Sequence, residues 1–131
     1  MARLVLIRHG QTHTPQDAWF RGQVDVPLDE VGLAQAAATA QRVIAAWTPQ
    51  AVYSSPLARA RQTAELIAAP LGLEVQVHEG LTDINYGAWQ GLRMHEVRTR
   101  WLKALTVWNT RPHHATIPGG ETLTAVRTRG L

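Results

Sequence analysis

"LVLIRHGQT", residues 4–12, runs from four aliphatic residues straight into an arginine, a histidine and a glycine. Residues 3–7, RLVLI, read as a strand buried on both faces. A continuous aliphatic run that stops at Gly10 suits the interior of a parallel sheet. In open parallel sheets ligands collect beyond the carboxyl ends of the strands, and Arg8 and His9 stand at such an end. A neutral imidazole held there is a nucleophile, and the guanidinium beside it is a planar fork of donors suited to phosphate oxygens. Taken alone, the tripeptide serves equally as a turn in which Arg8 pairs with a carboxylate and His9 fills space.

Outward from this stretch, the chain alternates. Residues 52–54 form a second short strand, and the alternating "LEVQVH", 73–78, a third. Between the first and second lies a helix that Asp29 can cap. Its apolar face is Leu33, Ala36, Ala37, Ala40, Ile44 and Trp47, and Pro49 closes it. Between the second and third lies another, with Ser55 at the cap and Pro56 at the first helical position. Its buried stripe is Leu57, Ala60, Ala64, Ile67 and Leu71, with Arg61, Gln62 and Glu65 outward. Strand, helix, strand, helix, strand is the pattern of a parallel α/β sheet with helices on its faces. Residues 94–108 predict a further helix carrying Val97, Trp101, Leu105 and Trp108. "NTRPHHATIPGG", 109–120, is a loop, and a helix begins near Glu121.

Composition narrows the chemistry. The 131 residues, 45% of them hydrophobic, suffice for one core and are too few for two ordinary domains, which predicts a single domain. No apolar run approaches the roughly 20 residues that span a bilayer, and "MARLVLIRHG" lacks the longer apolar region of a secretory signal. The chain has no cysteine, which removes disulfide and thiolate chemistry and fits a cytoplasmic setting. The net charge of +3 comes from dispersed basic residues. Arg59 with Arg61, and Arg93, Arg98, Arg100 and Lys103, look like helix faces rather than a phosphate-tracking stripe, so no nucleic acid and no membrane is expected as a partner. A pocket for one small anion fits this charge better.

Two further motifs fall at the same sheet edge as Arg8 and His9. "SSPLARARQTA", 54–64, puts Arg59 in the first turn of a helix, where backbone N–H groups also favour an anion. Arg61 points elsewhere and reads as solvated surface. "LTDINYGAWQG", 81–91, offers Asp83, either as the structural partner of the arginines or as the acid that protonates a leaving alkoxide.

With "LIRHGQT", "FRGQVDVPLDEVGLAQA" (20–36), "YSSPLARARQTAELIA" (53–68), "LTDINYGAWQGL" (81–92) and "PGGET" (118–122) in this order, the sequence resembles the histidine phosphatase superfamily, which includes the cofactor-dependent phosphoglycerate mutases. The resemblance implies an α/β fold: a three-layer α/β/α sandwich with a mostly parallel sheet, phosphoglycerate mutase-like and C-terminally incomplete. It implies that His9 is phosphorylated on its ring nitrogen and that Arg8 and Arg59 hold the phosphoryl group. Asp83 matches the carboxylic proton donor, often glutamate in members. Arg21 and Gly22 match a loop lining the substrate side, and Glu121 a glutamate that braces the site. The expected substrate is a small phosphorylated metabolite. No cofactor or metal is implied, since two guanidinium groups can stabilise charge on the equatorial phosphoryl oxygens.

The pattern also departs from the family. Members contribute a second histidine in a "HG" that follows a late strand, and no such element precedes Leu131. Weak activity is therefore expected, and an unpaired strand edge through which copies of the chain would associate as a homo-oligomer. His113 and His114 precede "PGG" and read as solvent-facing, while His13, His78 and His95 have no partner at a metal-ligand spacing. Pro15 stands where the mutases carry an asparagine, and this and the compact spacing after Asp83 favour a phosphatase over a mutase. Of the five tryptophans, Trp47, Trp101 and Trp108 read as core, whereas Trp19 and Trp89, each beside a motif, are candidates for an apolar wall against substrate. Three readings stand: a phosphatase acting through phosphohistidine, a phosphoglycerate mutase-type phosphoryl transferase, and a non-catalytic phosphate-binding module.

Overall fold

The computed structural model describes residues 1–13 and 18–131, so Pro15 lies outside the described residues. The chain divides into two compact units, residues 1–13 with 27–77, and residues 14–26 with 78–131.

The first unit is built on a parallel strand pair. Helix α1 (Glu30–Ala46) starts where the Asp29 carboxylate accepts a hydrogen bond from Gly32 N at 2.7 Å, which satisfies one of the amides that a helix start leaves without a partner. Strand β1 (Val52–Ser54) leads into helix α2 (Ala58–Ala68), and strand β2 (Val75–Val77) returns parallel to β1 with Val52 opposite Val75 and Ser54 opposite Val77. A helix between two parallel strands is the crossover that parallel pairing requires. Ala40 and Val43 of α1 pack on Ile67 of α2, with Trp47, Val52 and Leu71 around them.

Four expectations change here. Residues 3–7 belong to no strand among the described residues: Leu4 is 81% and Leu6 85% exposed. An aliphatic run reports a demand for burial, but a strand also needs a hydrogen-bonded neighbour, and the described sheet pairs only β1 with β2. Arg8 and His9 therefore do not follow a sheet strand, and their placement has another cause, described below. The buried face of α1 is Gly32, Ala36, Ala40 and Val43, so Leu33, Ala37 and Ile44 face outward. The rotation follows from Gly32 and Ala36, whose small side chains permit close backbone approach. Helix α2 begins three residues after Ser55, which instead accepts from Leu57 N at 3.4 Å. Gln62 is half-buried rather than outward, because its Oε1 accepts from Leu28 N at 2.8 Å.

The second unit is helical. Residues 94–108 do not form one helix: α3 (Met94–Arg100) and α4 (Leu102–Thr110) meet at Trp101, whose backbone leaves the helical region at φ −138° and ψ 49°. The break lets Val97 and Leu105 both reach a core containing Phe20, Trp89 and Ile117. Trp89 is wholly buried there, its ring 5.1 Å from that of Phe20, so it is core and not a substrate wall. Trp19 is half-buried and bridges to Arg93. Helix α5 (Leu123–Gly130) starts at Thr122, whose hydroxyl accepts from Ala125 N at 3.1 Å. His113 and His114 are exposed in a single 3-10 turn, Pro112–His114. Among the described residues no helix is long and apolar enough to cross a membrane.

Candidate active site

In the first unit, the sequence RHGQT is fixed by a crossing of two backbones. Gly10 is buried, and a Cβ added to it would collide with the carbonyl of Gly32; a Cβ on Gly32 would collide with the carbonyl of Gln11. Both positions need glycine because the chain at 10–11 lies directly on the first turn of α1. The contact is held by polar bonds. Gln11 N donates to Gln35 Oε1 at 2.9 Å, Gln11 Nε2 to Asp29 Oδ2 at 3.0 Å, and Asp29 N to Gln11 O at 3.0 Å. The Gly32 amide, then the Gln11 side chain, hold the Asp29 carboxyl below its usual range.

The same glycine ties His9 to α2. Gly10 N donates to the Thr63 hydroxyl at 3.2 Å, and that hydroxyl donates to the Arg59 carbonyl one turn earlier at 2.8 Å. A single threonine thus sets the height of the histidine loop against the turn that carries Arg59. The four-residue spacing from Arg59 to Thr63 is that of a hydroxyl bonding back to a helix carbonyl, a signal the sequence contained. His9 Nδ1 lies 2.7 Å from the Gly10 carbonyl oxygen. A carbonyl only accepts, so this contact is a hydrogen bond when the ring proton is on Nδ1, which makes Nε2 the nitrogen with the lone pair. A cavity of about 380 Å³ opens on Arg8, His9, Gly10 and Thr63, with Gln35, Ala36, Ala38 and Thr39 of α1 as its other wall.

The two arginines of α2 differ as expected. Arg59 is 1% exposed, whereas the Arg61 side chain is 49% exposed and pairs at 3.4 Å with Glu65. Arg59 is thus an interior guanidinium on the helix turn to which Thr63 ties the histidine loop. Arg59→Ala is expected to weaken inorganic phosphate binding about ten- to a hundredfold, the loss of one charge-assisted contact of about 1.5–3 kcal/mol. Arg61→Ala should leave it within about twofold, since an exposed pair contributes little. Isothermal titration with phosphate checks this; equal effects would remove the distinction.

Arg21, Gly22, Asp83 and Glu121 come together in the second unit. Asp83 is exposed and its Oδ1 accepts from Ile84 N at 2.8 Å. Its carbonyl accepts from Gln23 Nε2 at 3.2 Å and from Arg129 Nη2 at 3.1 Å. Gly22, at φ 54°, lies against Ile84 and Tyr86, where a Cβ would come within 2.7 Å of the Ile84 carbonyl. Gln90 Oε1 accepts from both Gln23 N at 2.8 Å and Tyr86 N at 3.2 Å, locking the 21–23 loop to the 83–90 loop. Burial pushes the Tyr86 phenol up; the Asp83 charge adds to this and the Arg21 charge opposes it. Glu121 accepts from Asn85 N at 2.9 Å, and its ion pair with Arg129 at 2.8 Å holds its carboxyl below the usual range. Gln23, Gln90 and Arg129 were not legible as site residues, because each acts through partners distant in sequence.

A model of the histidine phosphatase superfamily (branch 1) matches residues 4–131. Phosphoserine phosphatase 1 of Hydrogenobacter thermophilus is 33% identical over 98% of this chain and 61% of its own length. A 2,3-bisphosphoglycerate-dependent phosphoglycerate mutase of a Methylobacterium is 38% identical over 92% and 60%. A mycobacterial glucosyl-3-phosphoglycerate phosphatase solved with VO3 superposes with a TM-score of 0.83 at 32% identity, covering 93% of this chain and 60% of that one. The chain spans 35% to 61% of the length of the first curated relatives it matches. The ordered motifs, the α/β fold shared with these structures and the family match from residue 4 to residue 131 agree, and the chain belongs to the histidine phosphatase superfamily.

Proposed function

We propose that the chain hydrolyses the phosphomonoester of a small metabolite in the cytoplasm through a phosphohistidine on His9, without a metal. The observation that supports this reading is the 2.7 Å contact of His9 Nδ1 with the Gly10 carbonyl oxygen, which with the ring proton on Nδ1 leaves the lone pair on Nε2. Nε2 attacks phosphorus and the bond to the ester oxygen breaks. Its electron pair goes to that oxygen, which takes a proton from the Asp83 carboxyl. Water then attacks the phosphohistidine, the P–N pair returns to Nε2, and the Asp83 carboxylate takes the proton of the water. Arg8 and Arg59 neutralise the equatorial oxygens in both steps, and Arg21 and Gly22 border the leaving group. Relatives named for phosphoserine and glucosyl-3-phosphoglycerate support a small alkyl phosphate as the substrate class.

The test is incubation with an alkyl phosphomonoester in the presence of a chelator. Expected are release of inorganic phosphate and a protein-bound phosphate that survives base and is lost in acid. Phosphate binding with neither label nor release would instead establish a binding module. Transfer to phosphoglycerate in preference to water would establish a mutase, the activity named for the Methylobacterium relative.

A further inference from the structure

We propose that Arg129 is a positioning residue for Asp83, acting through the backbone on both sides of it. The inference rests on the reading of Asp83 as the proton donor and goes beyond it by naming the group that holds the donor in place.

Asp83 is exposed and its Oδ1 accepts from Ile84 N at 2.8 Å, so the carboxyl is placed by the backbone that carries it. Arg129, near the end of α5, constrains that backbone. Its Nη1 donates to Gly80 O at 2.7 Å and its Nη2 to Asp83 O at 3.1 Å, so one rigid planar group spans the segment leading into Asp83. The guanidinium is itself held by Glu121, with Nε to Oε2 at 2.8 Å and Nη2 to Oε1 at 3.0 Å. Glu121 Oε1 also accepts from Asn85 N at 2.9 Å, two residues past Asp83. The pair therefore grips residues 80, 83 and 85. Glu121 N donates to Asn85 O at 2.8 Å, which ties the start of α5 to the same loop. A lysine has one ammonium on a flexible stem and cannot reproduce two directed bonds to carbonyls together with a two-point pair to Glu121.

The test compares leaving groups. A donor displaced by about 1 Å loses on the order of a hundredfold in rate. Arg129→Ala is therefore expected to lower kcat for an alkyl phosphate about a hundredfold, with little change in KM. Turnover of nitrophenyl phosphate, whose leaving group needs no proton, should change less than about threefold, as should formation of the phosphohistidine label from it. Free guanidinium ion should restore part of the alkyl phosphate activity in Arg129→Ala, and Arg129→Lys should be impaired as well. Amide hydrogen exchange should speed up at residues 80–86 while α1, α2 and α4 keep their protection. Equal slowing of both substrates, or exchange rising across the whole chain, would show a merely structural residue and overturn the proposal. If Asp83→Asn itself shows no leaving-group dependence, the assignment of Asp83 fails. If Asp83→Asn shows it and Arg129→Ala does not, the positioning role alone fails.

Discussion

His9→Ala is expected to abolish the acid-labile phosphoenzyme and to reduce phosphate release by on the order of 10⁴- to 10⁶-fold, the usual cost of deleting the nucleophile of a covalent mechanism. The loop should survive the change. The imidazole is half-buried, and what places residues 8–11 is backbone: the Gly10 amide on the Thr63 hydroxyl, and the crossing of Gly10 and Gln11 over Gly32. None of these contacts requires the ring. Phosphate should therefore still bind through Arg8 and Arg59 while chemistry stops, and the two measurements, titration with phosphate and mass spectrometry of a base-quenched reaction, separate a lost nucleophile from a lost site. Acid-labile label persisting in His9→Ala would move the nucleophile to another of the six histidines and overturn the role given to Nε2.

The elements that were legible in the sequence are those whose cause is local. Asp29 caps α1 because its carboxylate reaches the Gly32 amide of the same turn, and 52–54 pairs with 75–77 because the intervening helix returns the chain parallel. The failures lie where the cause is distant. RLVLI at 3–7 signals a need for burial, but no rule based on the run itself shows which strand would pair with it, and among the described residues none does. Leu33 and Ile44 obey the helical period as well as Gly32, Ala36 and Val43 do. The choice of face is made by the histidine loop, which approaches closely only at glycine. Arg8, His9, Arg59 and Asp83 stand out in the sequence by residue type and order alone. Thr63, Gln90 and Arg129, which fasten the loops around them, act across 53, 67 and 46 residues of chain, to Gly10, Gln23 and Asp83 respectively.

Asp83→Asn is expected to slow hydrolysis of an alkyl phosphate by about 10² to 10⁴, the range for a positioned general acid. It should slow hydrolysis of nitrophenyl phosphate far less. The substitution is nearly isosteric, and the amide oxygen of asparagine can still accept from Ile84 N, as Asp83 Oδ1 does at 2.8 Å. The bonds from Gln23 and Arg129 fall on the Asp83 carbonyl and are indifferent to the side chain. The loop should thus keep its shape and lose only an acidic proton. An alkoxide is too basic to depart without that proton, whereas a nitrophenolate leaves with its charge delocalised over the ring. The ratio of the two rates, measured for the parent chain and for Asp83→Asn under the same conditions, isolates proton donation from binding. A uniform loss on both substrates would mean that the carboxylate acts through its charge, as a structural counterpart of the arginines, and the acid would have to be sought elsewhere.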